Sequence, residues 1–213
     1  MKNLSILLLA LILVNSACNN EERIELFNGE NLENWTIVLP DSVDKNSVFY
    51  IDEGVLHVGG IPNGYIRTNE SYENYKLHLE WRWLEEPKNS GILLHTTGED
   101  RIWPNCIEAQ LMNGNAGDFV LIGKGVGITV KDSAYRVESE ENRFVIIPKF
   151  EESSENPAGE WNSYDISVSP ESIKLEVNGV LQNECRAPSK RSGRICIQSE
   201  GGPMEFREVF ILQ

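Results

Sequence analysis

A two-residue period, repeated in many short runs, constrains this chain more than any other feature. In "YKLHLEWRWL" (75–84), Tyr75, Leu77, Leu79, Trp81 and Trp83 fall on one side and Lys76, His78, Glu80 and Arg82 on the other. Only an extended strand sends successive side chains to opposite faces. "SVFYI" and "GVLHV" repeat the pattern around a "DEG" turn. "SGILLHTT", "CIEAQLM", "DFVLI", "GVGITV", "RFVIIPKF", "WNSYDISVS", "SIKLEVNGVLQ", "GRICIQS" and "MEFREVFIL" extend it to the C-terminus. Asn178-Gly179 is a strong tight-turn signal. No window keeps a 3.6-residue period beyond a turn or two. The expectation is an all-β protein, a sandwich or a barrel.

The 213 residues suit one sizeable domain able to bury its own core. A net charge of −14 argues against nucleic acid, whose phosphates need Lys and Arg, and against an anionic membrane surface. The N-terminus, "MKNLSILLLALILVNSAC", has one Lys, an apolar run from Leu4 to Val14 and small residues before Cys18. That run is too short to span a bilayer and fits a signal-peptide core. It resembles a bacterial lipoprotein signal, although Asn15 stands where that pattern has an apolar residue. The resemblance implies lipidation of Cys18 and an outer-membrane lipoprotein of the cell envelope, facing the periplasm or the surface. An ordinary secretory signal cut nearby is the alternative. The expected organisation is a signal over 1–17, a short acidic tether over 18–23 and one domain over 24–213.

Three cysteines remain beyond the signal, so at most one pair can form. Cys185 and Cys196 flank a turn-like "RAPSKRSGR" and could face each other across neighbouring strands. There is no CxxC, and His57, His78 and His95 are dispersed, which argues against zinc.

Chemistry is sought on the polar faces. If strands over 74–84, 90–97 and 105–112 form a meander, their polar faces bring together Glu80, Arg82, His95, Glu108 and Gln110. Leu77, Leu79, Trp81, Ile92, Leu94, Ile107, Ala109 and Leu111 then pack against a second sheet. Each has a plainer reading. Glu80 with Arg82 reads as a surface ion pair, His95 as a strand-end histidine bonded to backbone, and Trp35, Trp103 and Trp161 as core. Glu108 and Gln110 fit a solvated face least well, because Trp103-Pro104 just before them suggests a shaped loop. The glycine loops "GIPNG" and "GKGVG" match no phosphate-binding fingerprint.

Read in order, "ELFNGENLENW", "YENYKLHLEWRW…KNSGILLH", "WPNCIEAQ", "PAGEWNSYDISV", "LEVNGVLQNE" and "SGRICIQSEGGPMEFREVFI" resemble the bacterial 3-keto-disaccharide hydrolase family over roughly residues 24 to 213. The resemblance implies a concanavalin A-like β-sandwich, a jelly roll of two curved antiparallel sheets, with the ligand on the concave sheet. It also implies a chemistry. In a sugar oxidised at C3, the ketone acidifies the C2 proton. A base removes it, the glycosidic oxygen leaves C1, and water adds back. This route needs a base near C2, an acid near the glycosidic oxygen and donors for the enolate.

On that reading Glu108 is the acid/base residue and Glu80 or His95 the second proton-transfer group. Arg82 and Gln110 hold the enolate or sugar hydroxyls, Asn89 lines the rim and Trp103 stacks on the ring. No cofactor motif is present. A divalent metal on Glu80, His95 or Glu108 suits the chemistry, though no spacing demands one. The partner implied is a carbohydrate, and no segment marks a protein partner. A non-catalytic sugar-binding module on the same sandwich is the alternative, favoured by aromatic platforms without clustered carboxylates.

Overall fold

A computed structural model describes residues 21–213. The signal, Cys18 and most of the expected tether lie outside the described residues. Seventeen strands follow one another: β1 (Arg23–Glu25), β2 (Trp35–Val38), β3 (Phe49–Asp52), β4 (Val55–Val58), β5 (Gly64–Thr68), β6 (Tyr75–Trp83), β7 (Gly91–Thr97), β8 (Asn105–Gln110), β9 (Phe119–Ile122), β10 (Gly127–Val130), β11 (Ser133–Arg136), β12 (Phe144–Ile147), β13 (Asn162–Val168), β14 (Ser172–Val177), β15 (Val180–Arg186), β16 (Arg194–Ser199) and β17 (Met204–Leu212).

They build two antiparallel sheets. The larger runs β11-β10-β15-β14-β13-β6-β17-β4-β3, with β1 added on β17, and the smaller runs β12-β9-β8-β7-β16-β5-β2. This is the expected concanavalin A-like sandwich. Alternation puts one face of each strand inside. In β6 every second residue from Tyr75 to Trp83 is buried. Those side chains meet Ile92, Leu94, Ile107, Ala109, Leu121 and Ile197 of the smaller sheet in one core. The Trp81 and Tyr164 rings pack at 5.6 Å within it. Truncating a side chain like Trp81 costs roughly 3–5 kcal/mol. The Asn178-Gly179 turn joins β14 to β15, with both residues at positive φ (50° and 75°). Such a two-residue turn matches the right-handed twist of the strands, and glycine takes that conformation without a side-chain penalty.

The expected meander does not form. β7 pairs with β8, but β6 lies in the larger sheet between β13 and β17. The chain crosses from one sheet to the other over 84–90. The pairing left open for Cys185 and Cys196 does not form. Cys185 packs in the inter-sheet core and Cys196 on the far side of the smaller sheet. Cys106, Cys185 and Cys196 are all free and buried. Burial pushes the Cys185 and Cys196 thiols up to about 12.

The smaller sheet departs from simple alternation. β7, β8, β9 and β16 are buried on both faces along nearly their whole length. Its outer face carries a second apolar cluster of Tyr65, Leu93, Cys106, Val120, Ile122 and Cys196, with Trp103 and Val38 against it. A polar side chain on this outer face therefore sits among tall apolar neighbours and away from bulk water.

Candidate active site

Glu108 and Gln110 stand in that setting. On β8, Glu108 lies opposite Leu93 of β7 and Val120 of β9, so it shares their outer face. It is 4% exposed and Gln110 7%. Gln110 lies opposite Gly91, and the Glu108 carboxyl leans over that glycine. An ideal Cβ on Gly91 would be 2.2 Å from Glu108 Oε1. The missing side chain is what makes room for the carboxyl.

Glu200 comes in from the end of β16. Asn89 and Glu200 form an isolated backbone bridge. The Asn89 segment is laced in place, with Ser90 Oγ donating to the Gln198 carbonyl (2.8 Å) and the Leu111 N–H donating to the Ser90 carbonyl (2.8 Å). Asn89, Trp103, Glu108, Gln110, Val120, Phe144, Ile146 and Glu200 line one depression of about 310 Å³. Gln198, two residues before Glu200 and opposite Tyr65, is 1% exposed, and neither amide atom has a partner.

The electrostatics follow from burial. Loss of solvation pushes the Glu108 carboxyl well above the usual carboxylate range, and the negative charge of Glu200 adds to it. Glu200 is also raised by burial, while a hydrogen bond from Asn89 pulls it back down. The influence runs from Glu200 to Glu108, so Glu108 titrates in the field of its neighbour and not as an independent site. One proton on Glu108 and a charge on Glu200 is the arrangement their environments favour. Gln110 Oε1 accepts from the Met112 N–H at 3.4 Å, which leaves its amide nitrogen able to donate. Trp103 meets Phe144 edge-on at 5.9 Å, and its carbonyl accepts from Arg143 (2.7 Å).

Of the residues singled out from sequence, Glu108, Gln110, Asn89 and Trp103 come together. Glu80, Arg82 and His95 do not. Glu80 and Arg82 point outward from the larger sheet, because β6 spends its other face on the core. There Glu80 pairs with Arg207 and Arg82 with Glu205. Both guanidiniums sit over the Trp161 ring, at 4.0 Å for Arg207 and 4.6 Å for Arg82. His95 sits on an irregularity in β7, at φ 54°. Its Nδ1–H donates to the Lys190 carbonyl (2.9 Å), and its ring lies edge-on to Tyr75 of the opposing sheet at 6.1 Å. Burial lowers its pKa, so it is a neutral packed histidine. The set considered for a metal, Glu80, His95 and Glu108, is therefore not assembled. Among the described residues no three or more His, Cys, Asp or Glu side chains converge to hold a metal. Glu200 and Gln198 were missed. Their only sequence signal was the polar side of "ICIQSE", where Cys196, Gln198 and Glu200 alternate.

Two stacked antiparallel sheets define the chain's class: a concanavalin A-like β-sandwich. Solved structures share this fold. A glycosyl hydrolase candidate from Parabacteroides distasonis is 20% identical, with 89% of this chain and 93% of that one covered and a TM-score of 0.62. A β-glucanase from Bacillus licheniformis is 14% identical (90% and 96% covered, TM-score 0.56). The carbohydrate-binding module CBM66 from Bacillus subtilis is 6% identical (84% and 96% covered, TM-score 0.59). No curated protein matches the chain. The 3-keto-alpha-glucoside-1,2-lyase-like domain family matches residues 22–212, and the chain belongs to that family. Its function is accordingly tied to glycosides.

Proposed function

We propose that this protein cleaves 3-keto-glycosides by elimination followed by hydration, at a cell envelope to which a lipidated Cys18 would tether it. The observation that carries the reading is the deeply buried Glu108 carboxyl beside the more open Glu200. Environments that push two carboxyls apart assign acid and base roles. Glu200, charged, takes the proton from C2 of the keto sugar. The C1–O bond breaks and Glu108 gives its proton to the departing glycosidic oxygen. This leaves a C1–C2 enone and a free alcohol. Water then adds at C1 while the Glu108 carboxylate takes its proton, and Glu200, half-buried and exchanging its proton with solvent while the alcohol departs, protonates C2. The sum is hydrolysis, and both carboxyls end as they began. The Gln110 amide donates to the oxygen that gains charge at C3, a contribution of the oxyanion-hole kind. Trp103 offers an apolar surface to the ring.

The route is tested by running the reaction in heavy water and analysing the sugar product at short times against an enzyme-free control. Elimination and hydration place solvent deuterium at C2. Retention of the original C2 hydrogen at complete cleavage would mean direct displacement at C1 and would refute the proposed route.

A further inference from the structure

The depression is divided across the strands. From Glu108 towards Gly91, Asn89 and Glu200 it is polar. In the opposite direction, the neighbours of Glu108 are Val120 on β9 and then Ile146 on β12, which lies opposite Val120. Phe144, opposite Ile122, continues that side towards Trp103. At about 4.8 Å per strand, Ile146 stands roughly 10 Å from the Glu108 backbone. Phe144 is 45% exposed and Ile146 60%, although Val145 between them packs on the core. An edge strand that turns a Phe and an Ile outward exposes apolar surface and risks sheet-to-sheet association. Such a strand has a use for that surface.

Resting on the proposed reaction, we infer that Val120, Phe144 and Ile146 seat the leaving group and select glycosides whose aglycone is a neutral apolar ring, in preference to a second sugar. Glu108 stands on the boundary between the two halves, where the proton donor to a bond joining sugar and aglycone has to be. A second pyranose would bring several hydroxyls, for which Val120, Phe144 and Ile146 offer only carbon and Trp103 a single indole N–H. The nearby Arg143 gives one guanidinium N–H to the Trp103 carbonyl, and its unpartnered Nε–H is buried out of reach of the depression. The paired carboxyls disfavour an anionic aglycone. Size agrees, since about 310 Å³ is at the lower end of small-molecule sites, roughly 300–1,000 Å³. That is room for one sugar and one further ring, not for a chain of sugars.

The test compares the 3-keto-glucosides of cyclohexylmethanol and methanol, in both anomers. Both are simple primary alcohols, so leaving-group acidity changes little. The expected kcat/KM ratio favours cyclohexylmethyl by at least tenfold, mostly through KM. In Ile146→Ser and Phe144→Ser, each checked by thermal melt, the ratio falls towards one. Equal kcat/KM in the wild type, or a preference that persists in both variants, overturns the inference. If neither compound is turned over, the proposed reaction fails. Calorimetric binding of the same two compounds to the wild type and to Ile146→Ser then decides the inference separately. An apolar preference lost in the variant upholds it, and equal affinities overturn it.

Discussion

The Glu108 carboxyl fills the space that a side chain on Gly91 would occupy, within 2.2 Å of the place its Cβ would take. Gly91 has an ordinary backbone conformation and is absent from the positive-φ residues, so alanine brings no backbone strain. What must move is the Glu108 side chain from Cγ outward. Gly91→Ala is expected to lower kcat on a 3-keto-glucoside on the order of 100-fold, the typical cost of about an ångström of misplacement, with little change in fold. Steady-state kinetics beside a thermal melt check this. Unchanged kcat would show that the leaning carboxyl plays no part.

Glu108→Gln keeps the shape and removes the proton. Loss of a general acid lowers kcat by about 10²–10⁴-fold. Stability moves the other way. The Glu108 carboxyl titrates above its ordinary 4.5 in the folded chain. Between 4.5 and the raised value, the folded chain holds a proton that the unfolded chain has lost. Wild-type stability therefore falls as pH rises through that window. Melting curves should show the variant more stable than wild type above the window, by about 2–4 °C per kcal/mol at this size. The two should converge near pH 4, where both states are protonated. A gain that persists unchanged at pH 4 would have another origin.

Glu200→Gln removes the like charge that helps hold the Glu108 proton. Burial alone still raises Glu108, so its titration should shift down without becoming ordinary. Infrared titration of the carboxylic acid C=O band, with Glu108→Gln to assign it, reads this directly. A Glu108 band that titrates at the same pH in wild type and variant would mean that the two carboxyls do not couple.

Glu80→Gln is expected to leave kcat/KM within about twofold of wild type, because its partner is Arg207 on the far sheet. A loss of tenfold or more would contradict the assignment of the site to the smaller sheet.

Much of this was legible in the sequence. The alternation in β6 marked its buried face, and Asn178-Gly179 marked a hairpin. The odd pairing of Glu108 with Gln110 behind Trp103 pointed to the strand that carries the candidate site. What failed was the step from neighbours in sequence to neighbours in space. Consecutive strands are adjacent roughly two-thirds of the time, but here the chain crosses between sheets after Trp83. That sends Glu80 and Arg82 to the opposite side of the molecule from Glu108. Glu200 was hidden for the same reason. It reaches Glu108 only because β16 enters the smaller sheet beside β7, a pairing that nothing local to "QSEGG" records. His95 was grouped with the polar face because alternation cannot register the irregularity that turns its ring towards Tyr75; its plainer reading, a histidine bonded to backbone, is the one found.

The most direct test of the central claim is sugar release from a 3-keto-glucoside and from its unoxidised parent, by wild type and Glu108→Gln, with and without a chelator. The expected result is cleavage of the keto compound alone, reduced at least 100-fold in the variant, as loss of a general acid requires. Equal cleavage of the unoxidised parent would contradict the elimination route. Saturable binding with no cleavage in any lane would make the protein a sugar-binding module.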